Sequence, residues 1–251
     1  MRSTQDGEKN KYYFFFYSHM PLELVPTGIK GLDEMLGGGI PRGRTVIVSG
    51  GPGTGKTTLV MEYLYRGALK KERGVFFSLE ESSQKLYETI SKSFNWKKFP
   101  EFIKNKTIQL VRVENYDYRY LMDILQESVC EQNIERIAID SGTVLRLFFK
   151  DNFEFRRKML NILDFIGKFK STTLVTHEFP SAERKDIRFG IEHFVVDGII
   201  MLYNMQQKFN RVRGLEIIKM RGMKHSNKIV PMNITPNGIE VFPEEQILYE
   251  E

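Results

Sequence analysis

Apolar residues in this chain come in two alternating textures. One is a short continuous run of strand length; the other is a longer stretch in which they return every three or four positions. Thr45-Val46-Ile47-Val48 is a run of the first kind, and Leu59 to Leu69 is a helix-forming stretch of the second. The pair repeats as a strand from Gly74 to Leu79, then Leu86, Ile90 and Phe94 at helical spacing, with Ser82 or Ser83 placed to cap that helix. Thr107 to Val113 alternates as a strand does, and Leu121 to Val129 is helical. Ile137-Ala138-Ile139-Asp140 is an apolar strand ending in an acid, followed by a helix from Phe153 to Phe169 and a strand from Thr172 to Thr176. Such alternation predicts βαβ units, and so an α/β fold with a mainly parallel sheet covered on both faces.

Past Phe179 the texture changes. Pro180 to Glu192 is charged and aperiodic, which predicts an exposed loop. Gly198 to Tyr203, Leu215 to Met220 and Ile229 to Ile234 then read as short strands, and Pro236-Asn237-Gly238 as a turn into Ile239-Glu240-Val241. Strands joined by turns predict an antiparallel extension of the sheet. Ahead of the first core strand, the segment from Pro26 predicts a short helix over Leu32 to Leu36, ended by glycines.

The expected domain covers residues 20–251. Residues 1–19 read as a disordered extension, with Met20 as the expected natural start; the aromatic run Tyr12 to Tyr17 is too short for the core of a signal peptide. Hydrophobic residues make up 41% and charged residues 27%, with no run near the roughly 18 apolar residues of a membrane span. The single cysteine, Cys130, excludes an intrachain disulfide and a thiolate metal cluster within the chain, which fits a reducing, cytoplasmic setting. A net charge of +5 permits a nucleic-acid partner without pointing to one, because lysines and arginines are spread along the chain.

Chemistry enters with Gly50-Gly51-Pro52-Gly53-Thr54-Gly55-Lys56-Thr57, which fits G-x-x-x-x-G-K-[ST] between a strand and a helix. Backbone that wraps a phosphate needs positive φ and close approach, which glycine allows. Gly51, Pro52, Gly53, Thr54, Gly55, Lys56, Thr57 and Thr58 are therefore expected to hold ATP or ADP. Lys56 would reach the β- and γ-phosphates, and Thr57 would place its hydroxyl on Mg²⁺.

Phosphoryl transfer to water also needs a metal carboxylate, an activated water and positive charge at the γ-phosphate. Asp140, at the carboxyl end of its strand, is the expected second Mg²⁺ holder. Glu80 and Glu81 close another strand at the same edge, and either suits a general base. Thr176-His177-Glu178 ends a third strand, where His177 is placed either to sense the γ-phosphate or to serve as a structural hydrogen-bonder. Arg42 and Arg44 precede the first core strand and are expected to point elsewhere. The cations far down the chain, Lys219 and Arg221, share one face of an alternating strand. If that face is exposed, they would meet the nucleotide of a neighbouring subunit, as head-to-tail rings require.

With these residues assembled, the chain resembles the KaiC-like branch of the RecA superfamily of ATPases over Pro21 to Pro243. The resemblance rests on Thr27-Gly28-Ile29 through Gly43, the phosphate loop, Glu80-Glu81, Ile139-Asp140-Ser141, Thr176-His177-Glu178, Asp197-Gly198, and above all Lys219-Met220-Arg221-Gly222 with His225-Ser226. It implies a RecA-like phosphate-loop core in a hexameric ring with ATP at each subunit interface. Lys56, Thr57, Asp140 and the glutamate pair would act in cis, Lys219 and Arg221 in trans, and His225 beside the neighbour's nucleotide. Single-domain relatives of this kind are mostly archaeal, and some resemble recombination accessory factors. Two alternatives stay open: a protein autokinase using the same site, and a nucleotide-gated factor holding single-stranded DNA or a protein partner. For DNA, the Pro180 to Glu192 loop offers Arg184, Lys185, Arg188 and Phe189 against Glu183, Asp186 and Glu192.

Overall fold

The computed structural model describes residues 22–179, 189–207 and 210–247. The extension expected at residues 1–19, and the reading of Met20 as the start, lie outside them. In chain order the elements are β1 (Leu24–Val25), α1 (Leu32–Met35), β2 (Ile40–Pro41), β3 (Thr45–Gly50), α2 (Lys56–Leu69), β4 (Gly74–Ser78), α3 (Ser83–Ser93), α4 (Phe99–Lys104) and β5 (Ile108–Arg112). Then come α5 (Tyr118–Gln126), β6 (Arg136–Asp140), α6 (Gly142–Leu145), α7 (Asn152–Lys168), β7 (Thr172–Glu178), α8 (Ile191–Val195), β8 (Gly198–Gln207), β9 (Asn210–Met220), β10 (Val230–Thr235) and β11 (Gly238–Val241).

Among the described residues the main sheet has nine strands in the order β11-β10-β9-β8-β3-β7-β6-β4-β5. The strands from β8 across to β5 run parallel, whereas β9, β10 and β11 continue antiparallel from β8. Successive side chains of a strand face opposite layers, and the core follows that rule. On β4, Phe76 packs with α2, α3 and α4, while Val75 and Phe77 pack with α5 and α7 on the other face. Each such buried aliphatic or aromatic side chain contributes about 1.5–3 kcal/mol. No helix among the described residues is long and apolar enough to cross a membrane.

Local signals explain most boundaries. Ser82 is the cap of α3, its hydroxyl accepting from Lys85 N at 3.3 Å, so the earlier of the two expected serines serves. Asp117 accepts from Arg119 N at 2.8 Å and Tyr120 N at 3.2 Å, which starts α5 three residues before its first expected apolar position. The expected loop over Pro180 to Glu192 needs correction at its far end, where Ile191 and Glu192 open α8. Five residues are too few to show a helical period. α4, which the reading of apolar period did not include, opens with Pro100 in its first turn and is held by aromatic packing, Phe99 against Tyr87 at 6.0 Å and Trp96 at 6.3 Å, and Phe102 against Tyr65 at 5.9 Å.

Arg136 is the largest fully buried side chain among the described residues. It donates to Tyr63 O and Pro26 O, each at 2.9 Å, pairs with Glu72, and lies 4.4 Å over the Tyr63 ring. A buried guanidinium persists only where its donors are satisfied, and these contacts tie β6, α2 and the entry segment together. The entry segment is itself closed by Asp33, whose carboxylate accepts from Thr27 N and Thr27 Oγ1, both at 2.6 Å, and from Gly28 N at 3.0 Å.

Candidate nucleotide site

The loop between β3 and α2 opens a cleft of about 690 Å³ at the carboxyl ends of the parallel strands. Ligands bind at that edge of an open α/β sheet because the strand ends and helix amino ends converge there. Of the loop's four glycines, Gly53 and Gly55 have φ of 71° and 98°, the conformation that favours glycine, whereas Gly50 and Gly51 do not take positive φ. Lys56 donates to Gly51 O at 2.9 Å, as does Thr54 Oγ1, and these bonds close the loop on itself. Burial lowers the pKa of Lys56 below the usual lysine range, opposed by the carboxylates of Glu178, Asp140 and Glu80. A cation surrounded by acids in this way is the group a bound phosphate would draw outward.

Thr57 Oγ1 donates to Asp140 Oδ2 at 2.7 Å, and Thr176 Oγ1 donates to the other carboxylate oxygen. Hydroxyl and carboxylate oxygens side by side are the donor set that Mg²⁺ takes in phosphate-loop sites, so the residues present fit that ion. The peptide from Asp140 to Ser141 is cis.

The structure separates the two glutamates. Glu80 faces inward over the cleft, accepting from Ser141 Oγ at 3.0 Å. Glu81 also lines the cleft wall but spends its carboxylate on Lys85 one turn up α3, at 2.6 Å. Alternation likewise divides Thr176-His177-Glu178. Glu178 lines the cleft, a residue that sequence reasoning passed over beside the histidine, whereas His177 turns to the other side of β7 and approaches Glu192. The far wall is apolar, formed by Leu86, Ile90, Phe94 and Ile234.

Lys219 and Arg221 are not brought to their own phosphate loop. Lys219 pairs with Ile199, and Ile199 with Ile47, which puts it three residues, about 10 Å, back along the sheet from Gly50 and two strands across. Lys219 Nζ donates to Val196 O at 2.6 Å and His193 O at 3.2 Å; Arg221 donates to Phe194 O at 2.8 Å and Val195 O at 3.3 Å. Burial, with Arg221 alongside, lowers the pKa of Lys219 against the pull of Asp197. Both cations therefore cap the last carbonyls of α8, whose Phe194 is 60% exposed. His225 is distant too, its ring bonded to Ser226 O at 2.9 Å while Ser226 N reaches Met35 O. As expected, Arg44 points elsewhere, paired with Asp197 at 3.0 Å, and Arg42 pairs with Glu23 at 2.6 Å.

Among the described residues Arg213 on β9 approaches the loop in cis, donating to Gly53 O at 3.3 Å. Nothing in its local sequence signals this, because the contact depends on how β9 lies across β8. A further cluster stands beside the cleft, where Glu192 Oε1 is 3.3 Å from His177 Nε2 and 3.0 Å from His193 Nδ1. Burial alone would raise the pKa of Glu192, but hydrogen bonds from the two imidazoles outweigh it and hold the group far below the carboxylate range. Arg184, Lys185 and Arg188 lie outside the described residues, while Phe189 leans on the His193 ring with centroids 5.3 Å apart.

Comparison with known proteins gives a consistent picture. A family model described as "ATPase: KaiC" matches residues 25–246. The circadian clock oscillator protein KaiC of Parathermosynechococcus lividus is 32% identical over 227 residues, which cover 86% of this chain and 42% of that protein. Its counterpart in Synechococcus elongatus is 30% identical over 235 residues, covering 90% and 45% respectively. The chain thus spans less than half the length of these curated relatives. Among solved structures, that of a KaiC-like protein from the hyperthermophilic archaeon Pyrococcus horikoshii superposes with a TM-score of 0.78 at 35% identity, covering 89% of this chain and 100% of that one.

Proposed function

The chain belongs to the KaiC family of ATPases, and from that premise we propose that it binds ATP with Mg²⁺ in the cleft and hydrolyses it slowly as a ring of identical subunits, a hexamer. The observation that carries the reading is the split between its two halves. One chain holds the phosphate loop, Thr57, Asp140 and Glu80 in one cleft, while its Lys219 and Arg221 are anchored at a different place on the sheet, beside an exposed phenylalanine. A finger that cannot serve its own site serves a neighbour's, and head-to-tail contacts of that kind close into rings.

In this reading Lys56 and the loop N–H groups hold the phosphates, Glu80 takes the proton from water, and Lys219 and Arg221 of the adjacent copy offset charge at the γ-phosphate. Thr57 and Asp140 would hold Mg²⁺, which would supply charge neutralisation on the phosphates. The apolar wall of Leu86, Ile90, Phe94 and Ile234 suits the base. His225 contacts the neighbour's nucleotide, and the setting is cytoplasmic.

Light scattering with and without ATP and Mg²⁺, alongside release of free phosphate, tests this. The expected result is a sixfold mass in nucleotide with phosphate released. A chain that stays monomeric while turning over ATP overturns the ring. With γ-labelled ATP, label retained on protein in place of free phosphate would establish the autokinase instead.

A further inference from the structure

We propose that His177, Glu192 and His193 form a second cation site, separate from the phosphate cleft, that takes Zn²⁺. The three residues come from two elements, β7 and α8, and their ligand atoms all lie within 4.8 Å of one another. Two imidazoles and one carboxylate are a recurrent three-ligand zinc set, with a fourth position left to water. The nitrogen donors select a borderline transition ion over Mg²⁺, which prefers oxygen.

The distances suit an ion. Ligands about 2.1 Å from Zn²⁺, at angles of about 90–105°, stand about 3.0–3.3 Å apart. The carboxylate oxygen is 3.0 Å from His193 Nδ1 and 3.3 Å from His177 Nε2. The two nitrogens stand within 4.8 Å of each other, so seating both on one ion asks the rings to close by up to about 1.4 Å, roughly 0.7 Å each.

The surroundings suit it as well. His193 is 2% exposed, and its other ring nitrogen meets Ser49 Oγ at 3.0 Å, the outer hydrogen bond that orients a metal-bound imidazole. Its Nδ1 stands 3.0 Å from Glu192 Oε1 and 3.2 Å from Gly190 N, and an ion beside the carboxylate would replace both contacts. A Cβ on Gly190 would sit 2.1 Å from Glu192 Oε1, so only glycine leaves the carboxylate its place. Phe179 and Phe189 pack on the His193 ring and keep the surroundings apolar.

The test is metal titration of the full chain, untagged, stripped with chelator and free of nucleotide. Zn²⁺ and Co²⁺ serve as probes, with Co²⁺ read by its visible ligand-field bands. One equivalent per chain is expected, with tetrahedral-type Co²⁺ absorption that Asp140→Asn leaves unchanged. Glu192→Gln, nearly isosteric and so expected to fold, should weaken Zn²⁺ binding by at least ~100-fold, and His177→Ala likewise. Absence of stoichiometric binding, or binding that neither substitution alters, would overturn the site and leave a hydrogen-bonded cluster. The ATPase reading plays no part in this result.

Discussion

Thr57 donates its hydroxyl hydrogen to Asp140 across 2.7 Å, although 83 residues separate them in the chain. The pair joins the first residues of α2 to the end of β6 and makes one oxygen-rich corner of the cleft. Asp140→Asn keeps the shape of that corner and removes its charge. Mg²⁺-dependent phosphate release should fall by at least ~10²-fold, the scale on which several kcal/mol of metal stabilisation is lost. ATP binding in chelator, read by fluorescence of a labelled nucleotide, should stay near wild type.

The glutamates should behave unequally. Glu80→Gln removes the carboxylate that faces Ser141 over the cleft and should lower turnover by ~10²–10⁴-fold. Glu81→Gln loses a surface pair with Lys85, worth ~0.5 kcal/mol, and should leave turnover within a factor of about two. Steady-state phosphate release on both variants checks the assignment, and an inverted pattern would transfer the base to Glu81.

Arg221→Ala should bind nucleotide normally and lose hydrolysis by ~10³-fold or more. Lys56→Ala should be inactive for a different reason. Mixed in equal amounts and allowed to exchange subunits, the two inactive variants should recover roughly a quarter of the wild-type rate, since a sound loop then meets a sound finger at about one interface in four. No recovery, with exchange verified by mass, would place Arg221 in service of its own chain.

Gly67 sits inside α2, where alanine ordinarily adds about 1 kcal/mol of stability. Here a Cβ would lie 2.3 Å from Arg136 Nε, and the buried guanidinium has no room to yield. Gly67→Ala should destabilise by about 1–3 kcal/mol in denaturant unfolding. Gly167→Ala on α7 meets only Gly43 O at 3.4 Å and should be neutral or slightly stabilising.

Glu62 accepts from Ile239 N at 2.6 Å and from Arg66 at 2.7 Å, with its side chain wholly buried. Burial raises its pKa above the ordinary 4.5, against those hydrogen bonds. Because the folded pKa lies above the unfolded one, the protonated form contributes stability that is complete below about pH 4.5 and is lost as pH rises through the raised value. The stability difference between wild type and Glu62→Gln should therefore shift against wild type as pH climbs from 4.5 towards neutrality, measured by denaturant midpoints at fixed salt.

Most of the fold could be read directly from the sequence, because period, caps and turn residues act over a few neighbours. The helix from Lys56 to Leu69 ends at the expected residue, and the strand from Arg136 to Asp140 begins one residue ahead of expectation. The phosphate loop was equally plain, since its glycines are dictated by backbone geometry at those very positions. The short helix Ile191–Val195 was hidden because so few residues carry no period, and it anchors both the His193 cluster and the proposed finger.

The chain's own text determined the βαβ order, the antiparallel continuation and the anion-cradling loop, all set by interactions between residues close in sequence. Tertiary packing alone bonded Glu80 to Ser141 and Glu81 to Lys85 along the same cleft, turned Glu178 towards it and His177 away, and laid Arg213 beside Gly53. The physical reason is that strand pleat and sheet order fix which face each side chain takes, and these depend on pairings between segments many tens of residues apart.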